Sequence, residues 1–392
     1  MEYLKKLSEN LATLVVLFFL PLVLATDFIY KVSAGVTRYT FSLKGVIVVV
    51  LGFFVLRKVL LSKQYKTLGL LLILVAFNII SNYTLNLDQQ AIYYSLYMQS
   101  LFLFGLIIVV FFQQFYDSFK VKPVLNLLKL IIVLNFVLIL IGYFFEAPFF
   151  KSYSNRFGIN GMFKSNAEAS YFYMLAITLF YIYKGKFSYF FLITCVLSSL
   201  FCGSKTLYFF LLISSVYFVF IKIKSRIERK YFGVFMTVFF IVAISLISLG
   251  ILYIIENNEV LNRVYTDNGL ITAFFSYRDV LIVDVINEVT ERWHLIHYFI
   301  GGIGAVSYTT QTDFVDLFLN YGFIGTSIYL FIYFRTIYSY SNKKIILLLI
   351  PVILSILLRG NFLHYPSVSL ISIVIFVTIN KIYKKEYYGK EM

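Results

Sequence analysis

The chain is a succession of long apolar runs, and this feature constrains its fold more than any other. A bilayer core needs about 20 apolar helical residues at 1.5 Å each. Twelve runs are candidates for such helices, near residues 11–30, 43–61, 67–85, 92–112, 123–145, 166–183, 187–203, 206–221, 232–254, 316–334, 345–363 and 367–382. Only 14% of the residues are charged, against roughly a quarter in soluble domains. The sequence therefore predicts an all-α, polytopic integral membrane protein with about twelve transmembrane helices, and it excludes a soluble enzyme.

The placement of Lys and Arg predicts how these helices are oriented. If the N-terminus is cytoplasmic and the runs alternate, 22 of the 34 Lys and Arg residues fall on the cytoplasmic side. Such an excess is the positive-inside rule. Both termini are then cytoplasmic, and the net charge of +15 reflects membrane topology rather than a nucleic-acid partner. No Gly- or Pro-rich linker divides the runs, so residues 1–392 are interpreted as a single transmembrane domain.

Only one connection between the runs is long. Residues 255–320 lie on the predicted outer face and carry 9 of the 19 acidic residues and the only tryptophan. Helical periodicity over Asp279–Trp293 predicts an amphipathic helix at the outer membrane interface, with Trp293 at headgroup level. Its apolar face is predicted to comprise Val280, Leu281, Ile286, Val289 and Trp293. The alternative is a lid that only closes a helix bundle.

Short polar motifs recur at helix ends on the same predicted side. They are Arg156–Gly161 before Lys164-Ser-Asn166, Gly203–Thr206, Asp313-x-x-Asp316 and Arg359–His364. Guanidinium groups match diphosphate oxygens with two parallel hydrogen bonds, and a carboxylate or imidazole is able to act as a base. The pattern favours a site for an anionic lipid-linked substrate. The alternative is that each arginine extends to lipid phosphates at a helix end.

Several nucleotide and metal motifs do not occur in the sequence. It contains no GxxxxGK[ST] loop, no HExxH segment and no Cys/His spacing typical of zinc. We therefore expect no cofactor and no metal ion, and a substrate whose leaving group is already activated.

The order of these motifs resembles the O-antigen polymerase and O-antigen ligase superfamily of bacterial envelope glycosyltransferases. The resemblance covers roughly residues 150–380 by motif, and the whole chain by the number of runs and the single long loop. The similar segments are Arg156-x-Gly158-x-x-Gly161 with Asn166, Gly203-Ser-Lys205, Ser276-x-Arg278, Gly301-Gly302-x-Gly304, and Asp313-x-x-Asp316 with Gly322-x-x-Gly325.

The resemblance implies a GT-C-like fold in the bacterial inner membrane, with the active face on the periplasmic side. An undecaprenyl-diphosphate-linked oligosaccharide would be the donor, and a hydroxyl of the next lipid-linked repeat unit the acceptor. Arg278 would be the principal diphosphate ligand, unless it pairs with Asp279 or Glu288. The other substrate-binding candidates are Arg156, Arg359, Lys205 and Asn166. The catalytic candidates are Asp313, Asp316 and His364.

Two departures from the family pattern affect these roles. Ligases of the family carry a histidine in a His-Asn-x-Tyr-Leu segment near the position of Gln311 or Thr312. Its absence favours a polymerase and leaves the general base open among the three catalytic candidates. Lys205 stands where the family has arginine, which keeps the charge but loses the planar fork.

Two other functions compete with the polymerase. A ligase would transfer the finished glycan to lipid A core, and a transporter or flippase would move lipid-linked oligosaccharide without chemistry. Transporters often carry charged residues within their spans, whereas here the runs are nearly free of charge apart from Lys129 and helix ends. The sugar repeat, the linkage, the oligomeric state and the binding of a chain-length regulator protein stay open.

Overall fold

The described residues of the protein are helical almost throughout. The computed structural model describes residues 2–33, 39–62, 65–152, 157–224, 259–306 and 308–387, with isolated positions between 225 and 258. The helices in these ranges are α1 Glu2–Val32, α2 Tyr39–Ser62, α3 Tyr65–Thr84, α4 Gln89–Gln114, α5 Val121–Phe144, α6 Asn166–Ile182, α7 Ser188–Phe201, α8 Lys205–Lys224, α9 Glu259–Phe275, α10 Arg278–Arg292, α11 His297–Ile300, α12 Asp313–Tyr340, α13 Lys343–Leu348, α14 Ile350–Arg359 and α15 Pro366–Tyr387. The predicted all-α class is confirmed for this part of the chain.

Six helices among the described residues are long and apolar enough to cross a membrane. They are Glu9–Val32, Tyr65–Thr84, Gln89–Gln114, Val121–Phe144, Asp313–Ser339 and Pro366–Lys385. The predicted run 232–254 lies mostly outside the described residues, and the run 345–363 is divided between α13 and α14. These six helices agree with the prediction of a helical membrane protein. The number of twelve spans stays a prediction.

The last helix, α15, forms the centre of the bundle. It packs against α6 and α4 and also contacts α1 and α5, and 94% of its most apolar window is buried within the protein. Apolar side chains such as Leu370, Ile373 and Val377 surround its axis. The helix also buries the polar side chains of Ser372, Thr378 and Asn380, and polar groups of membrane helices face other helices rather than lipid, so the other helices pack around α15.

Hydrogen bonds between distant segments define two ends of the bundle. At one end, which we call the site end, Ser367 donates to Asp27 and Arg359 donates to Ser204. At the opposite end, Thr13 Oγ1 donates to the carbonyl of Ser118, and Lys381 Nζ donates to the carbonyl of Phe119. The beginning of α1 and the end of α15 therefore lie at the same end, opposite the site end.

The long connection is helical, and only part of its predicted apolar face is buried. The helix α10 buries Val285 and Val289, whereas Val280 and Ile286 are 39% and 52% exposed. Trp293 is only 6% exposed, and its Nε1 donates to the carbonyl of Gly302 at 3.2 Å. The indole therefore packs inside the protein, and the level of Trp293 in a bilayer stays a prediction.

Two glycines of the motifs allow this connection to approach a kink in α12. Gly322 has a φ of 62° within α12, and a Cβ at this position would lie 2.3 Å from the carbonyl carbon of Phe299. Gly301 has a φ of 90°, and a Cβ there would lie 2.4 Å from the carbonyl oxygen of Asn320. The two backbones touch, so only glycine fits at either position.

Candidate functional site

Arg359 is a buried cation at the site end. It is the last residue of α14, is 9% exposed, and donates from Nη1 to the hydroxyl of Ser204 at 2.5 Å. Its guanidinium carbon lies 5.9 Å from the centre of the Tyr171 ring, and the Tyr171 hydroxyl donates to the carbonyl of Gly360 at 2.5 Å. Arg359 is therefore fixed inside the protein and does not extend along an exposed helix rim.

A chain of hydroxyl groups connects Arg359 to the beginning of α6. The Ser204 hydroxyl lies 3.1 Å from the Ser170 hydroxyl, which donates to the carbonyl of Asn166 at 2.7 Å. Asn166 is the first residue of α6 and is 7% exposed. The structure thus places two of the predicted substrate-binding residues, Arg359 and Asn166, in one buried cluster.

Arg278 begins α10 and lies near the same cluster. Burial raises the pKa of Tyr365, the residue before α15, and Glu168 acts in the same direction, whereas the guanidinium groups of Arg359 and Arg278 oppose this rise. Electrostatic effects of this kind weaken with distance. Two arginines that are 81 positions apart in sequence therefore act in the same direction on the pKa of one phenol.

Lys205 holds the turn that carries Arg278. Its ammonium donates to the carbonyl of Ala273 at 2.8 Å and to the hydroxyl of Ser276 at 2.9 Å. Ser276 and Tyr277 both have left-handed backbone angles, with φ of 55° and 66°. Lys205 thus connects the beginning of α8 to a tight turn, and it helps to orient Arg278, which follows that turn.

Asp313 organises the segment between α14 and α15. Its carboxylate accepts hydrogen bonds from the backbone N–H groups of Phe362 and Leu363, all at 2.9 Å. The Nδ1 of His364 lies 3.7 Å from its Oδ1. Asp313 therefore positions the backbone of the segment that follows Arg359, and the imidazole of His364 lies beside its carboxylate.

Asp316 is the catalytic candidate with an uncommitted oxygen. Its Oδ1 accepts from the backbone N–H of Thr310 at 2.7 Å and from the hydroxyl of Thr310 at 2.8 Å. The carboxylate is fully buried, and its Oδ2 has no hydrogen-bond partner among the described residues. A buried carboxylate oxygen without a donor is suited to accept a proton.

Gly360 brings these two segments together. It follows Arg359 with a φ of 66°, and a Cβ there would lie 2.1 Å from the carbonyl oxygen of Gln311. The close approach joins the end of α14 to the turn before α12. Arg359 and Asp313 consequently belong to one local structure, although the sequence separates them.

The sequence analysis missed a buried ion pair at this end. Lys44 Nζ lies 2.6 Å from Asp27 Oδ1, and Ser367 donates to Asp27 Oδ2 at 2.5 Å. Glu168 is 1% exposed and lies within electrostatic reach of Asp27 and Lys44. The sequence does contain a sign of this cluster, since all three charged residues fall inside predicted apolar runs.

Arg156, the remaining predicted ligand, lies outside the described residues. Among the described residues, no group of three His, Cys, Asp or Glu side chains is arranged to hold a metal ion. Comparison of the chain with protein-family models, with curated proteins and with solved structures finds no match.

Proposed function

We propose that the protein is a polysaccharide polymerase that transfers a glycan from undecaprenyl diphosphate to the next lipid-linked repeat unit. The observation that supports this most is that two adjacent residues connect both arginines: Ser204 binds Arg359, and Lys205 holds the turn before Arg278. Two guanidinium groups at one end of an apolar bundle suit a diphosphate carried by a lipid. The family resemblance of the motifs supplies the reaction class, O-antigen or capsule repeat polymerisation.

The proposed reaction requires one bond to form and one to break. The acceptor hydroxyl attacks the anomeric carbon of the donor glycan, and the bond from that carbon to the diphosphate oxygen breaks. Negative charge develops on the departing undecaprenyl diphosphate, where Arg278 and Arg359 stabilise it. The hydroxyl proton passes to a base, for which Asp316 Oδ2 and the His364 imidazole are the candidates. Neither step calls for a metal ion.

The proposed location is the bacterial inner membrane, with the site end on the periplasmic side. In the predicted topology 22 of the 34 Lys and Arg residues lie at the opposite end, where α1 begins and α15 ends, and this distribution is typical of a cytoplasmic face. The lipid-linked substrate would reach the site from the outer leaflet.

Replacement of the arginines tests this function. We expect Arg278→Ala and Arg359→Ala each to reduce long-chain polysaccharide about 100-fold in cells that lack the native gene, because a preorganised donor to the leaving group is removed. Arg278→Lys and Arg359→Lys retain charge without the fork and should recover part of the product. Arg263→Ala is the matched control, since Arg263 is exposed and belongs to the same long connection. Normal long-chain product in both alanine variants at normal protein level would contradict the proposal.

The buried ion pair of Lys44 and Asp27 favours a second candidate, a transporter or flippase for lipid-linked oligosaccharide. Charged residues inside a membrane bundle commonly form proton or substrate pathways. Elongation of lipid-linked repeats by the purified protein in detergent, where no gradient exists, would exclude transport as its function.

A ligase is separated from a polymerase by gene deletion, because loss of a polymerase leaves single repeats on lipid A core and loss of a ligase leaves none.

A further inference from the structure

A cavity of about 330 Å³ lies between α3, α4 and α12 at the end opposite the site. Its polar lining consists of Lys66, Thr67, Gln113, Arg335 and Thr336, and the remaining lining is apolar. Lys66 lies in the first turn of α3, and Gln113 and Arg335 lie in the last turns of α4 and α12. The cavity is therefore at the level where these helices would leave a bilayer core.

Two cations face this cavity without a neutralising partner in the described part of the chain. Among the described residues, the carboxylates close to a basic side chain are Asp27, beside Lys44, and Asp313, beside His364. Both lie at the site end, so no described carboxylate pairs with Lys66 or Arg335. The guanidinium of Arg335 lies 5.7 Å from the centre of the Phe331 ring, and this contact orients it. Two like charges on one cavity repel each other, and an anion bound between them removes that cost.

The polar groups between the cations are suited to a phosphate. Gln113 donates from Nε2 to the hydroxyl of Ser339 at 3.1 Å, which fixes the amide at the cavity. Thr67 and Thr336 add hydroxyl groups. Arginine and lysine together bind phosphate oxygens through charge-assisted hydrogen bonds, and hydroxyl and amide groups complete the shell.

Exposed apolar side chains continue from the cavity along the same helices. On α3, Tyr65 is 54% and Leu72 59% exposed, and on α12, Phe331 is 53% and Phe334 48% exposed. In a bilayer these surfaces contact acyl chains. The ligand that fits both parts has a phosphate at one end and hydrocarbon at the other.

We propose that this cavity binds the phosphate headgroup of an anionic phospholipid, held between Lys66 and Arg335, with its acyl chains along α3 and α12. Basic pockets between transmembrane helices on the cytoplasmic side bind such headgroups. The site is separate from the arginine site and does not depend on the proposed polymerase activity. A free phosphate shares the headgroup chemistry, so the experiment distinguishes the two sources.

The test measures lipid binding by the purified, delipidated full-length protein in a neutral detergent. Native mass spectrometry counts bound dioctanoyl-phosphatidylglycerol, with dioctanoyl-phosphatidylcholine and inorganic phosphate as comparison ligands. The test variant is Lys66→Gln with Arg335→Gln. The matched control is Lys122→Gln with Lys385→Gln, which removes two exposed charges at the same end and away from the cavity.

We expect phosphatidylglycerol to bind the parent and the control equally, and to bind the test variant about 30-fold more weakly. Each cation near a lipid phosphate contributes roughly a fivefold change in affinity. The charge-preserving variant Lys66→Arg with Arg335→Lys should keep most of the affinity, which separates lost binding from lost folding. Equal binding of phosphatidylglycerol by test and control variants would overturn the proposal. Phosphate binding as strong as that of phosphatidylglycerol would overturn the lipid as the source of the anion.

Discussion

Lys44 and Asp27 form a buried ion pair, with Nζ 2.6 Å from Oδ1, between the first two helices of the bundle. The side chain of Lys44 is 13% exposed and that of Asp27 1% exposed. Ser367 at the beginning of α15 donates to the second oxygen of the same carboxylate. One carboxylate thus joins α1, α2 and α15 at the site end.

We expect Asp27→Asn to destabilise the protein by about 3–5 kcal/mol, because it removes the carboxylate that is hydrogen-bonded to the buried Lys44 ammonium. Thermal unfolding of the purified protein in detergent measures the loss. The double variant Asp27→Asn with Lys44→Met should recover part of the stability, since the orphaned charge is gone. If the Asp27→Asn variant had the same melting temperature as the parent, water or lipid would already compensate the charge of Lys44.

We expect Asp313→Ala to loosen the segment between α14 and α15. The backbone N–H groups of Phe362 and Leu363 lose their common acceptor, at a cost of about 1–3 kcal/mol for each buried donor left unsatisfied. Hydrogen exchange in residues 360–365 should accelerate, while exchange in α5 stays unchanged. Asp313→Asn retains one acceptor oxygen and should give an intermediate rate. Unchanged exchange in the alanine variant would mean that Asp313 does not hold this segment.

We expect Gly360→Ala to be strongly destabilising. The φ of 66° disfavours any residue with a Cβ, and the added carbon would lie 2.1 Å from the carbonyl oxygen of Gln311. Gly69→Ala is the matched control, because Gly69 lies inside α3 with no atom within 4 Å of a built Cβ. That change should stabilise the helix by up to about 1 kcal/mol. Melting temperatures that shift equally in the two variants would contradict the close approach.

We expect acid to weaken the long connection through His297. The backbone N–H of His294 donates to Nδ1 at 3.0 Å, so the ring proton is on Nε2, which lies 2.8 Å from the Thr84 hydroxyl. Burial lowers the pKa of His297 from its usual 6.5, and the neighbouring His294 acts in the same direction.

Because the pKa is lower in the folded protein, the stabilisation from neutral His297 is complete above pH 6.5 and is lost as the pH falls through the folded-state value. The melting temperature should therefore fall more between pH 7.5 and pH 5 for the parent than for His297→Gln, whose side chain does not titrate. The same pH dependence in both proteins would assign the effect to other groups.

The positions of most helices could be predicted from the sequence, because apolar side chains in runs of this length have few alternatives to a helix. Helices coincide with the predicted runs wherever the structure describes them at length, apart from the division of residues 345–363 into α13 and α14. The face of α10 could not be predicted in the same way. Periodicity gave Val280, Leu281, Ile286, Val289 and Trp293 as its apolar face. Val289 and Trp293 are buried as predicted, whereas Val280 and Ile286 are exposed and Val285 is buried instead.

Part of the candidate site was also within reach of sequence reasoning. The motifs singled out Arg359, Arg278 and Asp313 as residue types with useful chemistry, and the structure joins Arg359 to Ser204 and the turn before Arg278 to the adjacent Lys205. The contacts that each of these side chains makes were not predictable. Lys205, a predicted ligand, donates instead to the Ala273 carbonyl and the Ser276 hydroxyl. The sequence around a lysine does not show whether its ammonium binds a ligand or a neighbouring turn.

The sequence by itself determined that the chain forms long apolar helices, since this property depends on composition and spacing along the chain. Only the tertiary structure decided which polar groups meet. Asp27 and Ser367 are 340 positions apart and share a hydrogen bond because α15 packs in the centre of the bundle. Such contacts depend on how helices are arranged around one another, and the periodicity of a single helix carries no information about its neighbours.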